Sequence, residues 1–110
     1  MFTPSGVFNL LSDETRLRCL ILLHKKGKLC VCELIHALSS TQPKISRHLS
    51  MLRNYGIVID ERKGQWVYYS LNPSLPEWVN KIIQSNFDAL ASLEPYCSDM
   101  ARVEGANVIC

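Results

Sequence analysis

The strongest constraint in this sequence is a pair of helical apolar patterns separated by a short polar break. Residues 31–38 carry apolar side chains at i, i+3, i+4 and i+7, which predicts a short helix with one buried stripe. Residues 39–41 interrupt it, and Pro43 predicts a second helix over 42–54, because proline tolerates the first helical turn and Thr41 can cap it. Two short helices joined by so few polar residues predict a helix-turn-helix.

The elements predicted around this pair extend it to a winged helix-turn-helix. Ser12 predicts the cap of a preceding helix that ends at Gly27. β-Branched and aromatic residues over 57–62 and 65–71 predict a hairpin around Lys63 and Gly64. A capping box over 74–77 predicts a last, long helix that ends at Pro95. The expected fold class is mainly α with a β-hairpin (α+β).

Length and composition place the chain in one small globular domain. It has 110 residues, of which 47% are hydrophobic and 20% charged. We expect a winged helix-turn-helix and dimerisation domain over 1–93, and an irregular cysteine-containing tail over 94–110. No apolar stretch has the length of a membrane span, and the N-terminus lacks a signal-peptide pattern, so a cytoplasmic location and no membrane partner are expected.

Positive charge is concentrated in the middle of the chain. Residues 41–71 carry a net charge of +3, and such patches attract phosphate-rich partners. The predicted inner stripe of the second helix leaves its polar groups outward, where they can reach base edges or phosphates. His48, on the inner side, is either a structural residue or a DNA contact. The candidate DNA-binding residues are Gln42, Lys44, Ser46, Arg47, His48, Ser50, Arg62, Lys63 and Gln65.

A C-x-C pair, Cys30 and Cys32, is the second candidate site. Two thiolates select soft, thiophilic ions, although isolated buried cysteines often serve only as small core residues. If both residues are helical, they lie about 200° apart around the axis, so ligation to one ion requires distortion of the first helical turn. Cys19 lies in an apolar run and is interpreted as core. Cys97 and Cys110 lie in the predicted tail, where a ligating or an idle thiol is possible.

Four segments resemble the ArsR/SmtB metalloregulators, and specifically their arsenic-responsive repressors. The segments are 10–18 (LLSDETRLR), 29–34 (LCVCEL), 42–49 (QPKISRHL) and 64–69 (GQWVYY), and the likeness covers about residues 7–85. The resemblance implies a homodimeric winged-helix repressor that binds double-stranded, inverted-repeat operator DNA. It also implies release from that DNA when trivalent arsenic or antimony, as inducer, binds cysteine thiolates.

The same resemblance assigns Cys30 and Cys32 as the first two arsenic ligands. It carries the recognition-helix role to Gln42, Lys44, Ser46, Arg47 and His48. The chain departs from the family pattern at Ile35, where arsenic-responsive members often have a third cysteine; we expect Ile35 to fill core. A third thiolate would then come from Cys97 or Cys110 of either subunit, or be absent. A two-thiol site would suit a methylated arsenical, which has two exchangeable positions.

Three further functions compete with this hypothesis, and one of them is a DNA-binding module that lacks any sensor and in which both cysteines are idle. A redox-sensing repressor of the same fold would respond to oxidation of its thiols without any metalloid. A small thiol oxidoreductase is a different class, but C-x-C lacks the usual C-x-x-C spacing, and no base or oxyanion partner is evident nearby. No phosphate-binding glycine loop or nucleophile motif is present, so we expect neither enzymatic activity nor a catalytic cofactor. The apolar face of the last helix is either half of a dimer interface or additional core.

Overall fold

A computed structural model describes residues 1–105 of the chain. Its helices are α1 (Pro4–Leu11), α2 (Glu14–Lys26), α3 (Val31–Leu38), α4 (Gln42–Tyr55), α5 (Glu77–Leu90) and α6 (Tyr96–Gly105), and its strands are β1 (Lys28–Cys30), β2 (Val58–Lys63) and β3 (Trp66–Leu71). The predicted helix-turn-helix is α3 and α4, and the predicted hairpin is β2 and β3. None of the helices in this range is long and apolar enough to cross a lipid bilayer.

Helix α2 is the centre of the core, because Cys19 to Leu23 are all buried and other helices pack around them. The predicted cap at Ser12 is wrong by one residue. The Asp13 carboxylate accepts a hydrogen bond of 3.0 Å from the Arg16 N–H and caps α2, whereas Ser12 ends the preceding helix α1. The end predicted at Gly27 is confirmed, with the glycine at φ +86°. Helix α1 itself was not predicted.

The sheet has one strand more than the predicted hairpin. β3 lies in the middle of the order β1-β3-β2 and pairs antiparallel with both neighbours. Gly64 has φ +62° at the hairpin turn, a left-handed conformation that favours glycine. β1 is only three residues long, so it gives almost no alternation to recognise, yet it ties the segment before α3 to the hairpin.

The last predicted helix is shorter than expected and begins differently. Pro76 is the N-cap of α5 and has no side-chain hydrogen bond, so the capping box predicted over 74–77 is wrong. The helix ends at Leu90 rather than next to Pro95. Its residues Val79 and Ile83 are buried against the core.

The tail predicted to be irregular over 94–110 contains α6 at 96–105. The helix packs against α2 and α3 through a buried ionic cluster. Asp99, 1% exposed, accepts hydrogen bonds of 2.6 and 2.8 Å from Arg18 on α2 and of 3.0 Å from Arg102. Arg102 also donates at 2.6 Å to the carbonyl oxygen of Ala37 on α3. Tyr96 is buried, and Met100 and Val103 pack against the core, so a short apolar stripe holds this helix together with the ionic cluster.

Candidate DNA interface and thiol site

Helix α4 presents the predicted polar face at the surface. Ile45, Leu49 and Leu52 are fully buried and fix the rotation of the helix about its axis. As a result Gln42, Lys44 and Arg47 are exposed, and Ser46 and Ser50 are half-buried. Amide, hydroxyl, ammonium and guanidinium groups are therefore displayed together on one side of a helix, as required for contacts with a major groove.

His48 is the exception on α4, because it is only 6% exposed. Its Nδ1 lies 3.3 Å from Nη1 of Arg16, and its Nε2 lies 3.9 Å from an Asp13 carboxylate oxygen. Burial lowers the pKa of His48, and Asp13 acts in the opposite direction. Of the two roles considered for His48, the structural one is supported by this geometry.

Arg16, which sequence analysis did not single out, joins three helices. Its guanidinium donates to the carbonyl oxygens of Leu10 at 2.8 Å and Asn9 at 3.2 Å, which lie at the end of α1. The same group contacts His48 on α4. Because Arg16 is buried and charged, it holds α4 in place relative to α1 and α2.

The wing places three predicted residues at the surface. Arg62, Lys63 and Gln65 are exposed on either side of the turn, where Lys63 pairs with Trp66. Acidic neighbours lie on the same strand: Glu61 accepts a hydrogen bond of 2.8 Å from Lys28, which lowers the pKa of Glu61. With Glu61 already paired to Lys28, the acidic charge beside the basic groups of the turn is partly compensated.

The two cysteines of the C-x-C pair occupy different elements. Cys30 is the last residue of β1 and the extended N-cap of α3, with φ −74° and ψ 151°, and Cys32 is in the first helical turn. Their separation by 200° was derived for two helical residues and therefore does not apply. The Glu33 carboxylate accepts a hydrogen bond of 2.8 Å from the Cys30 N–H, which fixes this strand-to-helix junction.

Both cysteines line one cavity of about 400 Å³ between the start of α3, the first turns of α4 and the wing. Four of the candidate DNA-binding residues line the same cavity: Gln42, Ser46, Arg62 and Gln65. Arg53 and Asp60, which form an ion pair at 3.2 Å, and Trp66 also line it. Sequence analysis missed these three because only the tertiary fold brings the wing beside the C-x-C segment.

The remaining cysteines differ in their surroundings. Cys19 is fully buried, as predicted, and burial raises its pKa to about 12, so its thiol is unreactive near neutral pH. Cys97 is exposed at the start of α6. Over residues 1–105, no three His, Cys, Asp or Glu side chains are placed to hold a metal ion together. Cys97 is thus not part of such a group with Cys30 and Cys32, and Cys110 lies outside the described residues.

Ile35 differs from its prediction. It is half-buried rather than fully buried: it packs against the core and also lines the cavity. The reason is that α3 rests on the core with Leu34, Ala37 and Leu38, which leaves Ile35 at the edge of that contact, on the side of the wing.

Several large apolar side chains of the described residues are exposed at the surface. Phe8 on α1, Trp78 on α5 and Leu93 after it are exposed, although such residues usually lie in a core or an interface. Val79 and Ile83 are buried, as expected if the apolar face of the last helix is additional core. Trp78 on the same helix is exposed, so additional core does not explain its presence.

Known proteins resemble this chain in both sequence and structure. Residues 13–60 match the bacterial regulatory protein, arsR family. The chain is 56% identical over 89 residues to the arsenic resistance transcriptional regulator ArsR2 of Pseudomonas putida, which covers 81% of this chain and 77% of that protein. It is 51% identical over 80 residues to the arsenical resistance operon repressor of Escherichia coli K12, covering 73% and 68% of the two chains.

The solved structure of the AntR antimony-specific transcriptional repressor superposes with a TM-score of 0.66 at 26% identity, over 78% of this chain and 75% of that one. The winged-helix architecture and the extent of sequence identity therefore indicate the same family. This chain belongs to the arsR family of bacterial regulatory proteins, which are DNA-binding transcriptional regulators.

Proposed function

We propose that this protein is a homodimeric repressor of an arsenic-resistance operon, released from its operator when trivalent arsenic or antimony binds Cys30 and Cys32. The names of the similar proteins support both the operon and the class of inducer. The observation that carries the proposal is the shared cavity. Cys30 and Cys32 line it together with residues of α4 and the wing, so a ligand on the thiols lies directly beside the DNA-facing surface.

In the DNA-bound form, α4 enters the major groove. Arg47 and Lys44 are exposed cations that contact phosphates or base edges, and Arg62 and Lys63 of the wing contact the neighbouring backbone. A symmetric inverted repeat requires two recognition helices about one DNA turn apart, and hence a dimer. The exposed residues Phe8, Trp78 and Leu93 supply apolar surface for that dimer. A repressor of this kind acts in the cytoplasm, where its operator is, and needs neither enzymatic activity nor a catalytic cofactor.

The donor set of the cavity suits a thiophilic metalloid. Thiolates bind soft ions in preference to hard cations, and Cys30 and Cys32 reach the same cavity without unwinding α3. A third thiolate is supplied by Cys97 of the other subunit or by Cys110 of either subunit, or the metalloid retains one non-protein substituent. Arsenite, antimonite and methylarsenite are therefore the inducers to compare.

Release follows from linkage between the two sites. Cys30 is held to the wing through its pairing with Tyr68 on β3, whereas Cys32 belongs to α3, which supports the recognition helix. An inducer that binds both residues favours one spacing of α3 and the wing. Binding of the inducer weakens DNA binding only as far as the inducer's affinity differs between the DNA-binding conformation and the released one. Such coupling free energies are typically about 1–3 kcal/mol, or a factor of 5–150 in affinity.

The test is Cys32→Ser, with Cys19→Ala as the control, because Cys19 is a core cysteine that does not line the cavity. Fluorescence anisotropy of a labelled inverted-repeat DNA is measured with fully reduced protein, at one fixed salt concentration, during titration with arsenite. We expect Cys32→Ser to bind the DNA as the wild type does and to remain bound in arsenite. Normal release of Cys32→Ser would contradict the assigned site. Release by peroxide, but by no arsenical, would favour a redox-sensing repressor instead.

A further inference from the structure

The buried Arg16 side chain contacts two consecutive turns of α4. Its Nη1 lies 3.3 Å from Nδ1 of His48 and 3.6 Å from Sδ of Met51. His48 and Met51 are three residues apart in α4, so they lie on one side of the helix. Arg16 and His48 are only 8% and 6% exposed, so little water reaches their contact. The guanidinium is therefore a fixed point against which α4 is positioned.

The contact with Arg16 assigns the protonation state of the His48 ring. A guanidinium is always charged and only donates hydrogen bonds, so Nδ1 of His48 is the unprotonated, accepting nitrogen. The proton of the neutral ring is then on Nε2, which lies 3.9 Å from a carboxylate oxygen of Asp13. Neutral His48 thus presents an acceptor to the cation and a donor to the anion.

Protonation of Nδ1 would make the contact with Arg16 repulsive, because two N–H groups and two positive charges would face each other across 3.3 Å. Burial lowers the pKa of His48, Asp13 at the start of α2 opposes this, and three cations reinforce it: Arg16 of α2, and Arg47 and Lys44 of α4 itself. Helix α1 contributes no titratable side chain. The surroundings of the ring therefore favour its neutral form.

Helix α1 holds Arg16 from the opposite side. The carbonyl oxygens of Leu10 and Asn9 accept hydrogen bonds from its Nε and Nη2, and these bonds do not depend on pH. When His48 is protonated, Arg16 therefore stays with α1, and α4 is the element that shifts. Arg47 is adjacent to His48 in sequence, so the displacement moves an exposed cation of the DNA-facing surface.

We propose that Arg16 is a positioning residue for DNA binding that acts through neutral His48, so that operator affinity decreases when this buried ring is protonated. The inference rests on the proposed function for the entry of α4 into DNA, but it requires no inducer. If the DNA-bound conformation needs neutral His48, binding releases its proton, and affinity falls as pH falls through the pKa of His48. A His48 that contacted phosphate would give the opposite sign, because protonation would add a positive charge facing the DNA.

The experiment measures anisotropy of the labelled inverted-repeat DNA between about pH 5.5 and 7.5, with the reduced full chain, no arsenical and one salt concentration. His48→Gln keeps an oxygen that can accept from Arg16 but does not titrate. His36→Gln is the matched control, because His36 is exposed on the neighbouring helix α3. We expect wild type and His36→Gln to lose roughly threefold or more in affinity at the acid end, and His48→Gln to show no such loss.

Two further variants test the contact itself. His48→Leu removes the acceptor and should weaken operator binding over the whole pH range. Arg16→Lys keeps the charge, but one ammonium group cannot reproduce the guanidinium's bonds to both α1 and His48, so operator binding should weaken and its pH dependence should flatten. Thermal unfolding at each pH identifies the range over which every variant is folded, and affinities are compared within that range.

The possible results distinguish this inference from the proposed function. Affinity that increases as pH falls, and does so in wild type but not in His48→Gln, would make His48 a DNA contact and overturn the inference. The same pH profile in wild type and His48→Gln would also overturn it, while the proposed function would stand. If the wild type does not bind inverted-repeat DNA at any pH, the proposed function fails, and the inference fails with it.

Discussion

Replacing Asp99 with alanine tests whether one buried carboxylate holds α6 onto the rest of the domain. In the wild type, Asp99 accepts three hydrogen bonds from two guanidinium groups, Arg18 at 2.6 and 2.8 Å and Arg102 at 3.0 Å. Asp99→Ala removes all three acceptor contacts at once. It also leaves the Arg18 guanidinium, part-buried between α2 and α6, without its counter-charge.

The magnitude follows from burial. Removal of one partner of a fully buried ion pair costs about 3–5 kcal/mol. The Arg18 and Arg102 side chains are 16% and 36% exposed, so both regain some hydration, and the lower end of that range applies. We expect a loss of about 3 kcal/mol in the free energy of unfolding. For a domain of this size, that corresponds to a decrease in Tm of roughly 12 °C.

A second ion pair between the same two helices provides the control. Lys26 and Glu104 lie 3.7 Å apart, with side chains 33% and 51% exposed, so Glu104→Ala should change stability by less than about 0.5 kcal/mol. Urea unfolding of both variants is followed by circular dichroism at one protein concentration, because the proposed dimerisation would add to stability. Equal losses from Asp99→Ala and Glu104→Ala would refute the reasoning from burial.

Three other expectations concern α4 and its neighbours. Arg47→Ala should weaken operator binding measured by anisotropy, because it removes an exposed cation, and should leave arsenite binding unchanged. An unchanged operator affinity would show that Arg47 is not part of the DNA interface. His48 has a lowered pKa in the folded state, so the unfolded chain binds the proton more tightly and stability should decrease as pH falls below about 6.5. Urea unfolding at several pH values should show this decrease, and His48→Gln should abolish it. Gly6→Ala places a Cβ in steric conflict with the Tyr55 hydroxyl and should lower Tm, whereas the same change in a Tyr55→Ala background should cost much less.

The elements that sequence analysis predicted correctly have strong local signals. Helix α3 has a complete apolar stripe, α4 has proline in its first turn, and the wing has β-branched and aromatic residues around Gly64. These signals depend only on residues close together in the chain. The exposed face of α4 followed from the same periodicity, and so did most of the candidate DNA-binding residues.

Two elements escaped prediction because distant residues stabilise them. β1 exists because Lys28 to Cys30 pair with β3, some forty residues later in the chain. Helix α6 is held by Asp99, whose partner Arg18 lies 81 residues away. A three-residue strand leaves no periodic pattern in the sequence, and the apolar stripe of α6 consists of only three residues, Tyr96, Met100 and Val103.

Local spacing and side-chain chemistry are sufficient to predict the winged helix-turn-helix, the outward polar groups of α4 and the identity of the thiol pair. The surroundings of that pair depend instead on tertiary contacts. Pairing of β1 with β3 puts Cys30 on a strand and Cys32 on a helix, and packing of the wing against α3 and α4 encloses both in one cavity with Trp66. That arrangement results from contacts between residues far apart in the chain, and the spacing of a C-x-C motif contains no information about them.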